Sequence, residues 1–355
     1  MPGNPVTHRT IARTCGFGQS TVSMALRNDP RLPEATRRAI QETARMLGYH
    51  PNPHLSRLMS GVKRRRVENS LQPLAYVILW DQPEIHDAYY HTYRSGAQAR
   101  AAEFGYELHD FVVGAQGITL KRLATIVRAQ AIPGMLIAPV DLPHRNRGLG
   151  QGLEGRAIAL PSVDHAIATI GYSLSSPAVN RATHDHAQGA RTAVARLRDR
   201  GFRRIGLVSS RDIHVRVEGH WASGFLLAQH ELPPADRLEP LILDEIHDAP
   251  AFDRWLDRER PEVLLTNEVD ELRRHLERRG RRVPQDIGLV NLNAGEAKTP
   301  YAGIDQRAGD VGGAALDLLL AQILRNERGL PPLRKTVMIE GVWQDGPTLP
   351  SPRSR

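Results

Sequence analysis

The chain has 355 residues, 41% of them hydrophobic and 24% charged, enough to bury a sizeable core in more than one domain. One cysteine, Cys15, excludes an intramolecular disulfide framework and a cysteine-based zinc site, and no apolar run reaches the length of a membrane span. The net charge of +8 sits at one end: twelve Lys or Arg against three Asp or Glu over residues 1–66 give +9, which leaves −1 for the rest. An excess confined to one segment points to a polyanionic partner for that segment.

That segment reads as three short helices. Thr7 is placed to cap a helix opening at His8, with Ile11, Ala12 and Cys15 on its apolar face and Gly16 to stop it. After Gly16-Phe17-Gly18, a second helix over 19–26 turns Val22, Ala25 and Leu26 inward. It leaves Gln19, Ser20, Ser23, Met24 and Arg27 facing out, groups that suit a DNA groove. Asn28-Asp29-Pro30 breaks the chain, and a third helix from about Glu34 carries Ile40, Ala44 and Leu47 before Gly48 ends it. The pattern is helix-turn-helix with one miniature core.

These residues resemble the lactose-repressor family of bacterial transcription regulators. The resemblance rests on Val6-Thr7, Ala12, Gly16 with Ser20-Thr21-Val22-Ser23, Thr36-Arg37, and Leu47-Gly48-Tyr49 followed by Pro51-Asn52. It implies a DNA-binding set of Thr7, Gln19, Ser20, Thr21, Ser23, Met24 and Arg27. Three positions depart from the family: Gly18 stands where Ser usually caps the recognition helix, Met24 where Arg often reads a base, and Arg27 where Asn is usual.

The next stretch, residues 51–59, is too brief to be a stable helix by itself. The resemblance implies a hinge helix that forms only on DNA, with Asn52 and Arg57 near the duplex and Leu58 as a wedge in the minor groove. Lys63-Arg64-Arg65-Arg66 follows, either a phosphate contact or a solvated linker.

From Leu74 onward, short apolar runs alternate with helical segments, as in a parallel sheet covered on both faces. Residues 75–80, 134–138, 166–170, 205–209, 263–266 and 287–292 read as strands; 93–104, 120–130, 186–200, 220–230, 269–279 and 309–326 read as helices. The resemblance continues through Asp185 with Gly189-Ala190, Gly201-Phe202-Arg203-Arg204-Ile205, Val283-Pro284-Gln285-Asp286-Ile287-Gly288 and Gly303-Ile304-Asp305-Gln306. It implies a two-lobed body like a periplasmic binding protein, the lobes split near 175–181 and recrossed near 301–306 and 337–341.

Other chemistry has weaker support. Gly150-Gln151-Gly152-Leu153-Glu154-Gly155 has dinucleotide-binding spacing but follows His144-Arg145-Asn146-Arg147 instead of a strand, so it reads as a loop. His184-Asp185-His186 lacks a third ligand at defined spacing, and a helix cap at Asp185 accounts for it. No phosphate-binding loop or nucleophile elbow is present.

The expected site is a crevice between the lobes, where strand ends supply converging polar groups. Asn267 follows a strand and matches a family residue that bonds sugar hydroxyls; Asn293 stands where the family has Asp, and Trp221 where many relatives hold Arg. Trp80, Tyr89 and Tyr90 lie at the mouth of the other lobe. Trp221 is read as a stacking face for an apolar or planar part of the ligand, the alternative being an indole packed between helix and sheet.

The expected architecture is therefore α/β: a three-helix head over 1–50, a hinge and basic linker over 51–73, and a body over 74–345 made of doubly wound parallel sheets. The first lobe spans about 74–178 and 305–337, the second about 179–304 and 338–345. The function implied is a homodimeric, cytoplasmic DNA-binding repressor acting on a near-palindromic operator under a small-molecule effector, with no cofactor and no metal. The competing readings are a DNA-binding regulator with a vestigial cleft that answers to a protein partner, and a DNA-tethered enzyme.

Overall fold

The computed structural model describes residues 8–26, 28–47, 49, 71–79, 88–114, 117–139, 165–246, 248–295 and 301–350. The head consists of α1 (His8–Cys15), α2 (Gln19–Leu26) and α3 (Glu34–Met46). Its core is Ile11, Val22, Ala25, Ile40 and Ala44, with Ala12, Cys15, Leu26, Leu32, Leu47 and Tyr49 packed around them. Gly16 turns the chain after α1 at φ +72°. Nothing stands within 4 Å of where its Cβ would be, so the left-handed backbone rather than lack of space selects glycine. Side chains of α3 satisfy the end of α2: Gln41 Nε2 donates to Ala25 O at 2.9 Å, and Arg37 Nη1 donates to the carbonyls of Asp29 and Leu32 at 3.2 and 3.0 Å. Thr7 and Gly48, the expected cap and stop, lie outside the described residues.

The body holds two six-stranded sheets. The first contains β1 (Gln72–Leu79), β2 (Tyr106–Val113), β3 (Gly134–Ile137), β4 (Ala166–Ile170), β5 (Asn180–His184) and β11 (Thr336–Ile339) in the order β11-β5-β4-β3-β1-β2. The second contains β6 (Ile205–Ser210), β7 (Leu241–Leu243), β8 (Val263–Thr266), β9 (Gly288–Asn291), β10 (Ala302–Asp305) and β12 (Val342–Gln344) in the order β12-β10-β9-β8-β6-β7. The two orders correspond strand for strand. Every pairing is parallel except that of β10 with β12. The strand order reverses between β1 and β3 and again between β6 and β8, the switch points at which such sheets bind ligands.

Helices cover both faces of each sheet, as the alternating pattern predicts. In the first lobe these are α4 (Ala88–Glu103), α5 (Leu120–Ala129) and α11 (Ala308–Arg325); in the second, α6 (His186–Asp199), α7 (Arg211–Arg216), α8 (His220–Gln229), α9 (Ala249–Glu259) and α10 (Val269–Arg278). Each lobe consequently has two cores. One side of the first sheet packs Leu136, Ala168 and Ile170 against Val311, Leu316 and Leu319 of α11, and the other packs Val77 and Ile137 against Leu123 and Val127 of α5. Phe225 of α8 and Trp255 of α9 lie in the two cores of the second lobe.

The lobe boundary differs from expectation. Asn180–His184 forms β5, paired with β4 and β11 inside the first sheet, so the first crossing falls between His184 and His186 and not near 175–181. The run Asn-Arg-Ala-Thr-His is too polar to read as a buried strand, yet all five residues are buried. The chain recrosses between Asp305 and Ala308 and between Ile339 and Val342. No helix among the described residues is long and apolar enough to cross a membrane.

α4 and α11 meet backbone to backbone. A Cβ on Gly96 would stand 2.0 Å from Gly309 O, and one on Gly312 would stand 2.0 Å from Tyr93 O. Gly312→Ala is therefore expected to lower unfolding free energy by about 1 to 3 kcal/mol in urea denaturation, the usual cost of overpacking. A change within about 0.5 kcal/mol, the range of neutral surface substitutions, would show that the helices can separate freely.

Candidate functional site

In the head, the outward side of α2 is polar and uncharged. Gln19 and Ser20 are exposed, while Thr21, Ser23 and Met24 are half-buried. No acidic or basic residue lies on this helix. Arg27, Asn52, Arg57 and Leu58, the other residues expected at DNA along with Thr7, fall outside the described residues. Charge lies in the turn after α2 and on α3. Arg31 pairs with Asp29 at 2.6 Å, Arg38 with Glu34, and Arg45 with Glu42. Such exposed pairs contribute under about 1 kcal/mol, so phosphates can displace them readily.

In the body, polar groups gather at the carboxyl ends of the central strands. Ser210 ends β6 and caps α7, its Oγ accepting Ile213 N–H at 3.4 Å, while its own N–H donates to Glu268 Oε2 at 2.9 Å. Burial pushes the Glu268 carboxyl above its ordinary range against that hydrogen bond. Asn267 follows β8, and Asn293 follows β9, the paired neighbour of β8. The Oδ1 atoms of both are buried without a hydrogen-bond partner among the described residues. Unpaired buried carbonyls are costly, so both are acceptors awaiting a donor. Tyr89 and Tyr90 lie in the first turn of α4, on the opposite lobe; Trp80 is outside the described residues.

Trp221 is placed differently from the expected stacking face. It is on the first turn of α8 but only 3% exposed. The edge of His186 meets its ring at 4.9 Å between centroids, and His184 lies at 5.5 Å. The two histidines that flank the first crossing occupy the space in which a ligand would stack. Asp185 between them caps α6, accepting Gln188 N–H at 2.9 Å. The packed alternative thus describes the indole in this conformation.

The same crossing carries a contact that sequence reasoning missed. Arg181 of β5 is 4% exposed, and its guanidinium lies 4.4 Å from the centroid of Tyr172, just past β4. Its Nη1 meets Glu218 Oε1 at 3.3 Å in the turn between α7 and α8, on the second lobe. His220 of that lobe stacks on Tyr172 at 4.6 Å. An arginine inside a run of small polar residues signals nothing about its partners, since Glu218 is 37 residues away. Glu218 itself has φ +52°, an uncommon conformation for a residue with a side chain.

Both histidines at the crossing are held neutral. His184 Nδ1 donates to Ile339 O at 3.2 Å, which leaves Nε2 as a bare acceptor, and burial lowers its pKa to about 4. Burial holds His186 well below the ordinary value too. Because the unfolded chain takes up these protons first, the stabilisation is complete above pH 6.5 and is lost as pH falls toward 4. From pH 7 to pH 5, His184 alone should cost about 2 kcal/mol of unfolding free energy. A His184→Gln variant should lose correspondingly less over that interval in denaturant titrations; an equal loss would place the titration elsewhere.

Comparison with known proteins agrees with both halves. Residues 8–52 match the model of bacterial regulatory proteins of the lacI family, and residues 194–342 match that of a periplasmic binding protein-like domain. The HTH-type transcriptional regulator CelR of Thermobifida fusca is 25% identical over 344 residues, covering 89% of this chain and 92% of its own. The HTH-type transcriptional repressor CytR of Escherichia coli (strain K12) is 23% identical over 333 residues, 89% of each. Among solved structures, a CelR–cellobiose complex has TM-score 0.53 at 22% identity, covering 97% of this chain and 99% of that one. The Lac repressor bound to ONPG has TM-score 0.51 at 17% identity, covering 97% and 100%.

Proposed function

Because the chain belongs to the lacI family of bacterial regulatory proteins, we propose that it is a transcriptional repressor whose hold on operator DNA is set by a small molecule between its lobes. The observation that carries this reading is the joining, in one chain, of a head with an exposed polar second helix to a body of two matching lobes. Side chains of the two lobes meet where Arg181 and Tyr172 of the first contact Glu218 and His220 of the second. The relatives are named as transcriptional regulators, and catalysis has no part in the reading. The protein acts as a cytoplasmic homodimer on a near-palindromic site, because two equivalent heads require two equivalent half-sites. Thr7, Asn52, Arg57 and the Leu58 wedge complete the DNA contacts made by α2 and Arg27.

For the effector, a sugar or related metabolite fits best. Asn267 and Asn293 offer two buried acceptors on neighbouring strand ends, and sugar hydroxyls are donors of matching kind. Trp80, Tyr89 and Tyr90 are the aromatic residues assigned to the ligand from the other lobe. Trp221 belongs to the packing beneath the ligand, where its fluorescence reports movement of His184 and His186.

A thermal-shift screen of mono- and disaccharides, cellobiose included, tests this reading, since a ligand that binds only the folded state raises its melting temperature. The sugar that shifts the wild type should also change operator affinity measured by fluorescence anisotropy, and Asn267→Ala and Asn293→Ala should each reduce the shift. A shift undiminished in both variants would locate recognition away from these strand ends.

A further inference from the structure

We infer that α2 reads its operator through A·T pairs, while Arg9 and Arg13 of the preceding helix supply the phosphate contacts. The inference rests on the reading of the head as an operator-binding module and goes on to assign its base preference and its anchoring charges.

The groove chemistry of the second helix is narrow. In the major groove, Arg and Lys pair with guanine, Gln and Asn pair with the N6 and N7 edge of adenine, and apolar groups meet the thymine methyl. α2 reads Gln-Ser-Thr-Val-Ser-Met-Ala-Leu and carries no charge. Val22 and Ala25 are in the core, so they cannot reach a base. Gln19 and Ser20 are exposed on the first turn, the part of a recognition helix that enters the groove. Met24 lies one turn beyond Ser20 on the same side. These groups offer an amide for adenine, a hydroxyl that accepts either partner, and a thioether chain for a thymine methyl. No guanidinium lies on α2 itself, and Arg27, which follows the helix, is assigned with Arg9 and Arg13 to phosphate and not to guanine.

The charge that holds the head to DNA therefore has to come from outside this helix. Arg9 and Arg13 stand four residues apart on α1, both exposed, on one side of the helix. Neither has an acidic partner among the described residues, unlike Arg31, Arg38 and Arg45. In helix-turn-helix docking the first helix crosses the sugar-phosphate backbone. Phosphate contacts fix position and base contacts carry sequence, so here the two tasks fall on different helices.

The test is selection of a randomised duplex pool by the full-length protein, followed by anisotropy titrations at several salt concentrations. The expected motif is near-palindromic, and the half-site positions that respond to Gln19→Ala and Met24→Arg are A·T in the wild type. Gln19→Ala should relax one such position by about 10-fold, within the usual worth of a bidentate base contact. Met24→Arg should bring in a guanine at its position. Arg13→Gln should leave the motif unchanged, weaken operator and random duplex by the same factor, and reduce the slope of log affinity against log salt by about 1.8, which is about 0.9 for each of the two heads. Guanine at the Gln19-dependent position of the wild-type motif, or a changed motif in Arg13→Gln, would overturn the inference while leaving operator binding intact. Failure to enrich any duplex would overturn the operator reading and this assignment with it.

Discussion

The body depends on one buried charge. Arg181 carries its guanidinium into the junction of the lobes, where an uncompensated cation would cost several kcal/mol. Compensation comes from three directions: the face of Tyr172 at 4.4 Å, Thr336 Oγ1 at 3.3 Å from Nε, and Glu218 Oε1 at 3.3 Å from Nη1. The first two belong to the lobe of Arg181, and the third belongs to the other. The lobes can therefore part only by leaving Arg181 short of its carboxylate. Glu218 reaches that position from a left-handed backbone, which costs a residue with a side chain roughly 1 to 2 kcal/mol. Placing a strained acid opposite a buried base is the kind of outlier from which a role is inferred.

The neutral histidines next to this pair follow from the same constraint. His184 and His186 flank Asp185 at the crossing, and both are kept uncharged by burial. A second cation beside Arg181 would need a second buried acid. With imidazoles instead, the crossing is closed by ring contacts to Trp221, and the one cation keeps its carboxylate. Two of the buried polar atoms left without hydrogen-bond partners among the described residues, Oδ1 of Asn267 and Oδ1 of Asn293, lie just past neighbouring strands of the second lobe.

Much of the architecture was legible because central strands and amphipathic helices write themselves into a sequence. Residues 134–138, 205–209 and 263–266 are continuous apolar runs and are buried strands in the structure. The edge strands were not legible. β2 reads Tyr-Glu-Leu-His-Asp-Phe-Val-Val with only two of its eight residues fully buried, and β11 alternates exposed with half-buried positions, so neither forms an apolar run. β5 failed for the opposite reason: Asn180, Arg181, Thr183 and His184 look like loop residues and are buried only because the hinge supplies partners from far along the chain. For the candidate site, Asn267 was named from a strand end and the family resemblance and Asn293 from the resemblance, and both follow strands of the second sheet. The burial of Trp221 was not legible, since His184 and His186 are brought to it by the fold and not by spacing along a helix.

If the body governs the head through the relative placement of the lobes, a change confined to their junction must be felt at the operator. The direct measurement is the operator dissociation constant of Arg181→Met against wild type, with an intact melting transition as the check on folding. Arg181 lies outside the head, so it has no contact of its own to lose at DNA. The account predicts a change of about 5-fold or more, the lower end of ordinary coupling between distant sites. An unchanged dissociation constant in a fully folded variant would contradict it, leaving a head that binds DNA without reference to the lobes behind it.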